Sequence, residues 1–198
     1  MKKIKILSLL FCVVMLVAAC HDDEEGPIIP QPREQVGRTV LVYIVGDNGV
    51  NELSDLFKTN FEDMKEGMKE VDYSKCNLVV YSEMVNDVPR LVSLKKQNGK
   101  VVADTLFTYS EQNPLAKEVM SSVISQTVSY FPADSYGFVF LSHSSSWVPA
   151  TNDANSRSIG YYRRTQMNIP DFHDVLLSSF PRPLKFILFD SCSMQAVE

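Results

Sequence analysis

The run Thr39-Val40-Leu41-Val42-Tyr43-Ile44-Val45 has no polar alternation and is rich in β-branched residues. Such a segment suits a strand covered on both faces, which in practice means the middle of a parallel sheet with helices above and below. Three further runs share its character: Asn77-Leu78-Val79-Val80-Tyr81-Ser82, residues 136–141 and residues 184–189. Between them lie helical periodicities. Leu53, Leu56, Phe57, Phe61, Met64 and Met68 mark one amphipathic helix reaching about residue 69, and Leu115, Val119, Val123, Ile124 and Val128 mark a second, ending before Pro132. A third helix is expected over 169–179, with Pro170 suited to its first turn. Residues 90–94 and 101–107, joined through Asn98-Gly99, alternate as a β-hairpin. Residues 144–168 read as a polar loop. Strands alternating with helices at this pace give βαβ units, hence an α/β fold with a mainly parallel sheet and helices on both faces.

Residues 1–19 stand outside that pattern. Lys2, Lys3 and Lys5 open the chain, residues 6–19 are mostly apolar, and Val17-Ala18-Ala19-Cys20 closes the segment. The apolar stretch is short for a membrane span and reads as a secretory leader. A small residue before Cys20 is similar to the lipobox of bacterial lipoproteins, which implies lipidation at Cys20. Residues 20–37 follow as an acidic, proline-rich tether. An acidic run just behind such a cysteine resembles surface-export signals, so the expected location is outside the cytoplasm, anchored to the outer membrane or cell surface. Loss of the leader's three lysines makes the remainder more negative than the whole chain's -5. No dense basic patch is present, which argues against a nucleic-acid partner. The domain is expected over 38–198.

In parallel α/β sheets ligands bind beyond the carboxyl ends of the strands. The residues leaving those ends are Asp47 and Asn48, Glu83, His143, and Asp190 through Cys192. Cys192 follows the run Phe186-Ile187-Leu188-Phe189-Asp190-Ser191, and His143 follows Phe138-Val139-Phe140-Leu141-Ser142. A thiol attacks a carbonyl as thiolate, and a neighbouring imidazole favours that form. Of the other histidines, His21 lies in the tether and His173 in a helix, so His143 is the candidate base for Cys192. The backbone N–H groups of Ser144 and Cys192 are the candidate oxyanion donors. Residues 193–198 are placed to begin a helix behind the nucleophile. Cys76 opens a strand whereas Cys192 follows one, so no disulfide joins them, and Cys76 is expected to be a buried thiol. Neither has the spacing of a zinc site, so no metal is assigned. A small-molecule α/β binder lacks support, because no glycine-rich phosphate loop follows the first strand.

Several blocks carry a family resemblance: Val42-Tyr43-Ile44-Val45-Gly46-Asp47-Asn48, Leu141-Ser142-His143-Ser144-Ser145-Ser146-Trp147, Arg157-Ser158-Ile159-Gly160-Tyr161, and Phe189-Asp190-Ser191-Cys192-Ser193-Met194-Gln195-Ala196-Val197-Glu198. In this order they resemble the clostripain family of cysteine peptidases, relatives of caspases and gingipains. The resemblance implies a caspase-like three-layer α/β/α sandwich and endopeptidase action after Arg or Lys. His143 and Cys192 would form the dyad, and Asp190 would meet the basic side chain of the substrate. It implies self-cleavage in the loop between histidine and cysteine, where Arg157, Arg163 and Arg164 lie, and a calcium requirement in some members. Two departures bear on activity. The family usually has glycine where Ser144 stands, and Glu198 is only six residues past Cys192, whereas relatives continue with strands that cover the nucleophile strand. The sheet is therefore expected to be incomplete at its C-terminal side. The alternative reading is a catalytically weak or inactive surface lipoprotein that binds peptides or a protein partner.

Overall fold

A computed structural model describes residues 30–49, 51–144, 158–192 and 194. The leader, Cys20 and most of the tether lie outside them, as do Arg157 and all but Met194 of the helix expected over 193–198. The elements run β1 (Arg38–Val45), α1 (Asn51–Gly67) with a 3-10 turn (Met68–Glu70), β2 (Cys76–Glu83), β3 (Arg90–Gln97), β4 (Lys100–Thr108), α2 (Lys117–Tyr130), β5 (Tyr136–Leu141), β6 (Ser158–Tyr162), β7 (Thr165–Asn168), α3 (Ile169–Ser179) and β8 (Phe186–Asp190). Among the described residues no helix is long and apolar enough to cross a membrane.

Six strands form one sheet in the order β4-β3-β2-β1-β5-β8. The four expected strands β2, β1, β5 and β8 are parallel neighbours, and the β3–β4 hairpin adds antiparallel at the β2 side. Asn98 and Gly99 both take positive φ, 51° and 77°, as a two-residue hairpin turn requires. The central strand β1 is buried on both faces because each face has its own helical cover. Leu41, Tyr43 and Val45 join Val79, Tyr81, Phe138 and Phe140 beneath Met120, Val123 and Ile124 of α2 and Phe172, Val175 and Leu176 of α3. Val42 and Ile44 join Val80, Leu141 and Phe57 on the α1 side. Three layers result, as expected.

α3 begins where the sequence indicates. The Asn168 side chain accepts from the Asp171 amide at 2.7 Å, and Pro170 occupies the first turn, where its missing N–H costs nothing.

The structure differs from the sequence reading at several points. Residues 158–168 form a second, two-stranded sheet, β6–β7, instead of loop. Its turn, Arg163-Arg164, lacks glycine and asparagine, and a bulge between Ile159 and Tyr161 breaks the alternation that would have revealed a strand. Residues 33–37, expected in the tether, already pack on the domain: the Arg33 amide donates to the Tyr130 carbonyl and the Val36 amide to that of Pro132. Cys76 is a free thiol, as expected, but it is only half-buried. β8 lies at the edge of the sheet, with Phe186, Ile187 and Leu188 exposed by 38%, 43% and 55%. Gly137 faces Phe186 across β5–β8 and leaves space for its ring, where a Cβ would fall 2.4 Å from Cζ.

Candidate active site

β5 and β8 are parallel and in register to their ends, Leu141 opposite Asp190, and the Ser142 amide still donates to the Asp190 carbonyl at 3.4 Å. His143 and Cys192 therefore each stand two residues past the same register pair, on strands whose spacing is about 4.8 Å. Ser144 closes the arrangement: its Oγ donates to the Cys192 carbonyl. The thiol is free and exposed, so the sulfur is reachable from solvent, and the imidazole is half-buried. Two residues expected to act together thus leave neighbouring strands at one rim.

Ser144 takes an ordinary φ. Among described non-glycine residues positive φ occurs at Asn86, Asn98 and Arg163. A serine after the histidine therefore carries no left-handed strain here, because the backbone does not adopt the conformation that glycine would ease.

Asp190 points toward α1, where its Oδ2 accepts from Asn60 Nδ2 at 3.4 Å. It borders a groove of about 550 Å³ lined also by Asp63, Leu141 and Leu188. Carboxylates set beside aliphatic walls suit a long side chain with a cationic end.

Residues that sequence reasoning did not assign to the site complete the rim. The β6–β7 hairpin lies against the segment bearing His143: Ser144 and Ile159 form an antiparallel bridge, and the Tyr161 amide donates to Ser142 Oγ at 3.1 Å. The Tyr161 ring meets the His143 ring edge-on, centroids 6.4 Å apart at 90°. At the hairpin turn, Arg163 Nε is 2.8 Å from Asp47 Oδ2 and its Nη1 pairs with Glu111. The guanidinium also lies 5.0 Å over the Tyr162 ring, and the Arg163 amide donates to the Asp47 carbonyl at 2.9 Å. These two carboxylates hold the Arg163 charge on, well above its ordinary range. Of the three arginines expected as self-cleavage points, Arg163 is thus built into a closed turn and Arg164 is exposed beside it. The only sequence signal for this role was Gly160 amid bulky neighbours.

Glu83, at the end of β2, is 2% exposed, and its Oε2 has no hydrogen-bond partner among the described residues. Burial, then the neighbouring Asp47 charge, pushes its carboxyl from 4.5 up to about 7, against a hydrogen bond from the Asp47 backbone and the charge of Arg163. The folded state therefore holds a proton that the unfolded chain releases above 4.5. Stability falls as pH rises from about 4.5 to about 7 and stays reduced above that. Replacing Glu83 by glutamine removes this term. We expect thermal melts of Glu83→Gln at pH 8 to show a gain of order 1–3 kcal/mol, vanishing near pH 4.5. An identical pH profile for both proteins would contradict a buried, proton-binding Glu83.

Among the described residues no three His, Cys, Asp or Glu side chains are arranged to hold a metal ion.

The profile of the clostripain family matches residues 42–198. Among solved structures, the chain is similar to a secreted C11 cysteine protease from Bacteroides thetaiotaomicron in complex with an irreversible peptide inhibitor. That match has 40% identity and a TM-score of 0.69, over 81% of this chain and 44% of that one. An inactive zymogen C11 protease from Parabacteroides distasonis is similar at 33% identity and a TM-score of 0.65, over 81% and 43%. A B. fragilis cysteine protease is similar at 41% identity and a TM-score of 0.53, over 60% of this chain and 98% of that one. The chain spans less than half the length of the first two. No curated protein matches it.

Proposed function

Since the chain belongs to the clostripain family, we propose that it carries the catalytic rim of an exported, lipid-anchored cysteine endopeptidase that cleaves after Arg or Lys. The observation that carries this reading is the in-register exit of His143 and Cys192 from neighbouring parallel strands. His143 takes the thiol proton, and the Cys192 sulfur attacks the scissile carbonyl carbon. The backbone N–H groups of Ser144 and Cys192 hold the developing oxyanion, a contribution commonly worth about 100-fold or more in rate. Collapse of the intermediate breaks the C–N bond while His143 returns its proton to the leaving amine. Water, activated by the same imidazole, then breaks the S–C bond of the acyl-enzyme and regenerates the thiol. Asp190 supplies a negative charge for the substrate's basic side chain.

Self-cleavage belongs to this reading, with Arg157 as the favoured site, since Arg163 would first have to leave its turn. The lipobox-like Val17-Ala18-Ala19-Cys20 supports anchoring at Cys20, and similarity to a secreted B. thetaiotaomicron protease supports export.

Titration of the full-length protein with a peptidyl-arginyl acyloxymethyl ketone tests the proposal. We expect one equivalent to attach to Cys192, seen by mass spectrometry of the tryptic peptide, and the glutamyl analogue to react far more slowly. No adduct at Cys192 would overturn the peptidase reading and leave an anchored scaffold that binds peptides or a protein partner.

A further inference from the structure

Resting on the peptidase reading, we propose that Asp47 and Arg163 are positioning residues for His143. They act as a latch that holds the β6–β7 hairpin against the imidazole-bearing segment. The hairpin is anchored at its base and at its tip by different means. Near the base, Ile159 and Met167 are buried in the core, and Gly160, at φ 78°, fits between Leu115 and Phe140. At the tip the buried Tyr162 is joined by a polar anchor, because Arg163 reaches the end of β1 through its amide and its guanidinium together. Between these anchors sits Tyr161, whose amide holds Ser142 and whose ring bounds His143.

The choice of residue at the tip supports this assignment. Arg163 adopts φ 54°, a left-handed conformation that glycine or asparagine takes with less strain. An arginine there makes sense through what its side chain does. It joins Asp47, whose side chain is 8% exposed, to Glu111 and stacks on Tyr162. A planar guanidinium can satisfy two carboxylates and a ring face at once, which an ammonium cannot. Asp47 in turn is fixed by accepting the Gly49 amide at 3.1 Å. The chain of contacts therefore runs from β1 through Asp47, Arg163 and Tyr161 to His143. None of the first three needs to touch substrate.

A loosened hairpin tip leaves Tyr161 free to drift, and with it one wall of the imidazole's position. Misplacing a catalytic group by about 1 Å can cost on the order of 100-fold in rate. In the full-length protein we expect Arg163→Met and Asp47→Asn each to lower kcat on a peptidyl-arginyl substrate by about 10- to 100-fold, with KM within about twofold. The double variant should be no worse than the weaker single one, since both remove the same latch. Arg163→Lys should recover part of the loss. Lys117→Gln, which removes an ion pair between α2 and α3, serves as control and should leave kcat unchanged. A second readout does not depend on turnover: the His143 ring Cε1–H resonance should shift or broaden in Arg163→Met and not in the control.

Unchanged kcat, additive losses in the double variant, or a rise in KM with kcat preserved would each overturn the latch. The last would mark Asp47 and Arg163 as substrate contacts. Failure of the peptidase reading looks different, because the wild-type protein would then show no turnover at all. The imidazole resonance would still decide whether the latch exists, and an unmoved resonance in Arg163→Met would end the proposal.

Discussion

We expect Cys192→Ala to abolish peptide hydrolysis by the full-length protein, with a fall in kcat/KM of at least about a thousandfold. The reason is chemical. The proposed mechanism passes through a bond from sulfur to the substrate carbonyl carbon, and alanine has no atom able to form it. Oxyanion donors and substrate contacts that remain leave only a small residual rate. His143→Ala should fall nearly as far, and the double variant no further, because in the proposed dyad the two side chains act as one unit. Cys76→Ala is the informative contrast. It removes the other free thiol of the described residues, which lies at the amino ends of the parallel strands, where Cys76 is the first residue of β2. Its activity should match wild type. Retained activity in Cys192→Ala, or loss in a well-folded Cys76→Ala, would mean that the nucleophile has been misassigned.

Gly160→Val produces the largest expected loss of stability. At φ 78° a β-branched residue is a genuine outlier, and left-handed backbone alone costs about 1–2 kcal/mol. Its Cβ would fall 2.6 Å from Leu115 Cδ2 and 2.9 Å from Phe140 Cζ. Those atoms belong to side chains 4% and 0% exposed, so neither has space to withdraw. Overpacking of this kind adds about 1–3 kcal/mol. We expect a melting temperature lower by the order of 10 °C for a domain of this size. A change within about 2 °C would show that the hairpin is not seated on the core at that glycine.

What the sequence disclosed follows from what each segment needs locally. β1, β2 and β5 are covered on both faces, so their apolar runs carry no alternation, and the order of strands and helices followed from that. Asn98-Gly99 marked its hairpin because the turn itself demands those residues. His143 and Cys192 were legible for the same reason: strand ends in a parallel sheet share one rim. The β6–β7 hairpin was not legible, since its turn is Arg163-Arg164 and its bulge hides the period. Arg163 read as a cleavable basic residue because its partner Asp47 lies 116 positions away along the chain. Glu83 was seen at its strand end, yet nothing in its neighbours along the sequence foretold a carboxyl poised near neutrality. Burial decides that, and burial belongs to the tertiary structure.

In the proposed peptidase, the edge position of β8 would set when reactivity can appear. Ser144 and Cys192 are 48 positions apart along the chain and meet only when β8 zips onto β5. Pairing at such separation is entropically slow and comes late in folding. If the chain is exported as proposed, an extended polypeptide threading through a membrane would hold its sulfur far from any base. Reactivity would then have to wait for β8 to dock beside β5.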